Sequence, residues 1–209
     1  MRAAHASTVF GCAAVLLAYP EESFAEDVSS VSEAIGSLPS GRPRNSLSSA
    51  SRWLSAMGPG EAASAYVDTF DLRRGITLYV TWYSHGDTRE RGMALAALTD
   101  TYRDGGYELA PGELPDFLPA LLELAAVHPR AATVLREQRP AIEALRLSLE
   151  ETNSGYASVV AAVLAALPSP SRADRDALAR FMAQGPPSEA VGLEPYGPPE
   201  LLGQKATRR

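Results

Sequence analysis

An all-α, single-domain helical bundle is the fold class that this sequence predicts. Apolar residues recur at helical spacing over most of the chain, Gly and Pro cut that pattern into pieces of helix length, and the one strand-like run has no sheet partner. At 209 residues the chain can bury one sizeable core and is short for two. Its 45% hydrophobic and 21% charged residues and mean hydropathy of -0.10 belong to the ordinary soluble globular class.

A first helical segment runs to about Tyr19, a second from Glu22 to Leu38 and a third from about Ser46 to Met57, with Pro39-Ser40-Gly41 and Gly58-Pro59-Gly60 as breaks. Arg2, the apolar run from Val9 to Leu17 and the later Ser23-Phe24-Ala25 have the outline of a secretory signal. Thr8, Gly11 and Cys12 interrupt that run, and Tyr19-Pro20-Glu21-Glu22 reads as a helix stop followed by an acidic helix start. No segment reaches the roughly 20 apolar residues of a membrane span, so direct membrane insertion is not expected.

The stretch from Ile76 to Tyr83 is ambiguous. Ile76, Leu78, Val80 and Trp82 alternate with Thr77, Tyr79, Thr81 and Tyr83, which is a strand period. Leu72, Ile76, Tyr79, Val80 and Tyr83 also share one helical face, and without a sheet partner the segment is predicted to be helix. Asp87 and Glu90 then resemble a capping box opening a helix through Met93, Leu95, Leu98 and Tyr102, which Gly105-Gly106 stops. Leu114, Phe117, Leu118, Leu121, Leu122 and Ala125 form the next stripe. There Asp116 is predicted as N-cap, which puts Pro119 at the third helical position, where an N–H has no intrahelical partner.

A second stripe joins Leu135, Ile142, Leu145 and Leu149, and Tyr156 to Leu167 makes a third. A last helix is expected after Asp174 to about Gln184. Short links between these helices predict one packed domain over residues 1–184. Residues 185–209, with Gly185-Pro186-Pro187, Pro195, Pro198 and Pro199, are predicted to be a mobile Pro-rich tail, although Val191 to Tyr196 is less polar than a typical tail.

The formal charge of -6 and pI near 5.1 argue against a nucleic-acid binder, which needs clustered cations, and favour a basic partner. One cysteine, Cys12, excludes an internal disulfide framework, and His5, His85 and His128 are too dispersed for a structural zinc site. A reducing, cytoplasmic setting fits. His85, flanked by aromatics before a Gly turn, invites a general-base reading, but no nucleophile motif accompanies it. Arg89 and Arg91 point about 200° apart on a helix and cannot form one clamp, so at most one faces a given ligand. Glu123, seven residues after Asp116, places an acid beside the apolar stripe. Trp53, Tyr66, Phe70, Tyr79, Trp82 and Tyr83 are more aromatics than the short helices around them need, and such residues line helix-binding grooves.

Four motifs stand in order: Leu16-Leu17-Ala18-Tyr19-Pro20, Tyr66-x-x-x-Phe70-Asp71, His85-Gly86-Asp87-x-Arg89-x-Arg91-Gly92 and Glu113-Leu114-Pro115-Asp116-x-Leu118-Pro119. Together they closely resemble the NarJ family, assembly chaperones of respiratory nitrate reductase, over roughly Leu16 to Leu167. The resemblance implies an all-helical fold of the TorD-like chaperone type and no catalytic activity. It also implies that the partner is the nitrate reductase catalytic subunit, bound in the cytoplasm through a basic amphipathic N-terminal peptide. Such a chaperone keeps the apoenzyme competent for molybdenum cofactor insertion before membrane docking, and the cofactor belongs to the client. The resemblance places Tyr66, Phe70 and Asp71 on the peptide-binding side, His85 to Gly92, including Arg89, in its adjoining turn, and Pro115 and Asp116 in a link that shapes the groove. With Tyr79, Tyr83 and Glu123 these are the expected client-binding residues; no catalytic or metal-binding residue is expected. The wider TorD-like signature has a Glu-Pro-x-Asp-His link, and here Phe117 stands where that histidine would be. Three rival readings are a chaperone for another molybdoenzyme, a small helical enzyme using His85 with Asp71 or Asp87, and a generic helical scaffold with no defined client.

Overall fold

The computed structural model describes residues 3–86 and 88–184. Among these, eleven helices follow one another: α1 (Ala3–Leu17), α2 (Phe24–Gly36), α3 (Arg42–Ser55), α4 (Pro59–Phe70), α5 (Val80–His85), α6 (Arg89–Gly105), α7 (Leu118–Val127), α8 (Pro129–Glu137), α9 (Arg139–Glu151), α10 (Tyr156–Ala166) and α11 (Arg172–Gln184). The all-α prediction holds. None of these helices is long and apolar enough to cross a membrane.

The core is built on α1 and α10, whose sequences are apolar on nearly every side and which are covered over most of their surface, Val15 and Ala165 being exposed. α1 packs on α7, α10, α2 and α3, while α10 packs on α3, α9 and α1. Small residues let α1 approach its neighbour closely, and a Cβ at Gly11 would stand 3.8 Å from that of Ala126 on α7. Leu47, Ala50 and Leu54 form the buried stripe of α3, and each fully buried leucine contributes about 1.5–3 kcal/mol. Between α2 and α3 the Ser32 and Ser51 hydroxyls hydrogen-bond at 2.7 Å.

Several elements depart from the sequence expectation. The helix predicted through Leu72 to Tyr83 is a loop over 71–79 followed by the short α5. Gly75 at φ 87 breaks any helix there. Leu78 and Val80 spend their backbone groups on the link before α7: Leu118 N–H donates to Leu78 at 2.8 Å and Val80 N–H to Asp116 at 3.0 Å. The resulting antiparallel bridge pairs Tyr79 with Phe117. The alternation of Ile76, Leu78 and Val80 therefore reports local extended pairing, and all three are buried. Its partner is a short link instead of a strand.

Asp116 does not cap α7, whose N-cap is Phe117, and Pro119 falls at the second helical position. The stripe from Leu135 to Leu149 is two helices, because Pro140 lacks the N–H and space to continue α8. The Asp87 half of the predicted capping box lies outside the described residues, and the N-cap of α6, Thr88, makes no side-chain bond. The Gly105-Gly106 stop is found, with Gly106 left-handed at φ 76. At α11 a reciprocal box forms instead: Ser171 N–H donates to Asp174 at 2.7 Å and Asp174 N–H to the Ser171 hydroxyl at 3.1 Å. Expectations for residues 185–209 fall outside the described residues.

Candidate functional site

A buried carboxylate organises the middle of the molecule. Asp116 is fully covered. Its Oδ2 accepts from the Thr81 backbone N–H at 3.2 Å and the Thr81 hydroxyl at 2.5 Å, and Arg91 from α6 stands 3.4 Å away. The Thr81 N–H belongs to the first turn of α5, where donors lack helical acceptors, so Asp116 caps α5 across 35 residues of sequence. Arg91 Nε also reaches the Thr81 hydroxyl at 3.3 Å. This cluster ties α5 and α6 to the link that carries Phe117.

Phe117 projects into a groove made of two adjoining clefts. One, of about 450 Å³, lies between the α1–α2 turn, the link and α10. The other, of about 270 Å³, continues along α7 toward the end of α6. Ala18, Glu113, Phe117 and Glu123 line both. The walls carry the carboxylates Glu21, Asp27, Glu108, Glu113 and Glu123, with no Lys, Arg or His among the lining residues. None of these five acids forms an ion pair among the described residues.

Beneath the acids lies an aromatic floor. Tyr156, fully buried, packs against Trp53 at 5.0 Å, Phe70 at 4.9 Å and Tyr66 at 6.2 Å between ring centroids. Tyr19 stands edge-on to Tyr66 at 5.3 Å and is half exposed. Burial raises the hydroxyl pKa of Tyr66, reinforced first by Asp71. Burial likewise raises that of Tyr102, reinforced by Glu123 and then Glu113, and that of Tyr79, reinforced by Glu113 and then Asp116. Several rings thus feel the same negative field.

The expected client-binding residues divide accordingly. Glu123 lines the groove. Tyr66 and Phe70 lie under it, covered by other rings, and Tyr79 stacks on Phe117 at 5.5 Å. Asp71 is exposed at the end of α4. Asp116 lies inside the protein, next to Phe117, which lines both clefts. Tyr83, His85 and Arg89 line neither cleft. Tyr83 exchanges hydrogen bonds with the Thr77 backbone at 3.1 Å, His85 Nδ1 stands 3.7 Å from Glu90, and Arg89 is exposed. Among the described residues His85 has no hydrogen-bonded nucleophile, and no group of three or more His, Cys, Asp or Glu could hold a metal. Tyr19, Tyr107, Glu21, Asp27, Glu108 and Glu113 also line the clefts and are not among the expected client-binding residues. The acidic turn after Tyr19 was legible, but not its position opposite the link.

Residues 39–162 match the nitrate reductase delta subunit family. The chain belongs to that family. Within this delta-subunit-family chain the match takes in Glu113, Phe117, Glu123 and Tyr156, whereas Tyr19, Glu21 and Asp27 come from the segment before it. The chain is 41% identical over 157 residues to the nitrate reductase-like protein NarX of Mycobacterium tuberculosis H37Rv, covering 74% of this chain and 24% of NarX. It therefore spans about a quarter of the length of that relative. It is 31% identical over 160 residues to the probable nitrate reductase molybdenum cofactor assembly chaperone NarJ of Bacillus subtilis, covering 76% of this chain and 87% of the relative. Escherichia coli K12 NarJ, a nitrate reductase molybdenum cofactor assembly chaperone, is 33% identical over 147 residues, 68% of this chain and 62% of the relative.

Proposed function

We propose that this delta-subunit-family protein is an assembly chaperone, without chemistry of its own, for the catalytic subunit of a nitrate reductase. It binds that subunit's basic, amphipathic N-terminal segment in the groove between the α1–α2 turn and the link before α7. The observation that carries this reading is the pairing of carboxylate walls with an aromatic floor and the absence of any cation in the lining. Acids on the rim draw a basic segment in and orient it, while its apolar face covers Phe117, Tyr19 and Tyr107, which line the clefts. Holding the segment in the cytoplasm keeps the subunit from docking on its membrane anchor until the molybdenum cofactor, which is the client's cargo, has been inserted.

Titration calorimetry with a peptide matching the first turns of the neighbouring catalytic subunit, at two salt concentrations, tests this. The expected result is saturable one-to-one binding that weakens modestly with salt, because burial is insensitive to screening and rim attraction is not. Replacing Glu113 and Glu123 together by Gln should weaken binding by about twofold to thirtyfold, the range for two exposed charge contacts. Absence of binding by a helix-competent peptide, or binding indifferent to both substitutions, refutes the groove assignment.

A further inference from the structure

A second cleft lies away from the groove and has the opposite sign. The 71–79 loop, α9 and the last turn of α11 enclose about 430 Å³. Ile76, Tyr83, Ala144 and Phe181 make its apolar floor, Arg73 and Arg74 stand at its edge, and Glu151 is the one acid in the lining. Both arginines are exposed and form no ion pair among the described residues. Leu72 beside them is 70% exposed and Met182 in the facing wall 47%. This combination fits a short segment bearing carboxylates and bulky apolar side chains.

We propose that this cleft is the docking site of the chain's own segment from Glu189 to Tyr196. Three observations select that occupant. Residues 185–204 contain Glu189, Glu194 and Glu200 and no Lys or Arg, with Val191, Leu193 and Tyr196 between and beside the acids. The segment is tethered at the cleft: the described chain ends at Gln184, two residues beyond Met182 in the cleft wall. Five residues from Gln184 to Glu189 reach at most about 17 Å, enough to cross the opening and short enough for an effective concentration of about millimolar. Charge then excludes the other groove, whose five carboxylates repel an acidic segment. The molecule thus carries an acidic groove for a basic client and a cationic cleft for an acidic part of itself. The second assignment does not depend on the first.

Hydrogen exchange measured by mass spectrometry on the full chain tests it. Amides of 189–196 should exchange at least about tenfold more slowly than in a free peptide of that sequence. Arg73→Glu with Arg74→Glu should return them to the free-peptide rate, and adding Glu189→Arg with Glu194→Arg should restore the protection. Glu189→Lys with Glu194→Lys alone leaves every described residue intact and should give the same loss. Free-peptide exchange in the unaltered chain overturns the proposal, as does protection indifferent to all these changes. Protection that rises with protein concentration also overturns it, by placing the segment on a second copy.

Discussion

Replacing Asp116 by Ala should cost this protein a large part of its stability. The carboxylate is fully buried and serves the Thr81 backbone N–H, the Thr81 hydroxyl and Arg91 at once. Removing it leaves two neutral donors unpaired in the interior, at about 1–3 kcal/mol each, and strands a guanidinium whose side chain is only 18% exposed. Losing one partner of a buried pair costs about 3–5 kcal/mol, and the residual exposure of Arg91 places this case in the lower half of that range. Against a total of about 5–15 kcal/mol such a loss is readily measured. Urea unfolding of Asp116→Ala, Arg91→Ala and the double variant completes a cycle, with an expected coupling of about 1–2 kcal/mol. The same variant should weaken client peptide binding, because Phe117 follows Asp116 directly. A stability change below about 1 kcal/mol, with no coupling to Arg91, would refute the reasoning that this cluster holds the link.

Two further outcomes follow from packing and from buried acids. At Gly155 the backbone angles suit any residue, with φ -62, but an added Cβ would meet Trp53 at 2.1 Å. Gly155→Ala should therefore destabilise by about 1–3 kcal/mol through overpacking and lower the melting temperature by several degrees, followed by tryptophan fluorescence; an unchanged melt refutes the contact. Burial pushes the Cys12 thiol from 9.0 up to about 11 and raises Tyr66, Tyr83, Tyr102 and Tyr156 above their ordinary value of 10.0. The unfolded chain releases these protons at lower pH than the folded one, so their contribution is complete below about pH 9 and is lost as pH rises through the folded values. Urea midpoints should fall from about pH 9 upward, and Cys12→Ala should remove part of the fall between pH 9 and 11; an alkaline slope identical in that variant would refute the assignment to Cys12.

Helical identity was legible wherever one face had to be covered. The stripes of Leu121 with Leu122, of Ile142 with Leu145 and of Val159 with Val163 each specify a buried face from spacing alone, and Gly106 marks a stop because few other residues accept its left-handed angles. The four ordered motifs carry the family resemblance, and the acidic balance by itself favours a basic partner. What spacing cannot express is pairing between distant segments. Ile76 to Val80 reads as strand or helix according to whether a partner exists, and the partner is the end of the link before α7, where Phe117 pairs with Tyr79. Asp116 looks like a local cap because sequence offers only local donors, yet the donors it serves are on α5 and α6. The groove has the same origin: Glu21 comes from the turn after α1, Asp27 from the first turn of α2, Glu113 and Phe117 from the link, and Tyr156 from α10. Sequence determines which faces must be buried, because hydrophobicity is a property of each residue. Only the tertiary structure decides which charges and rings share a surface, because that depends on how the helices cross.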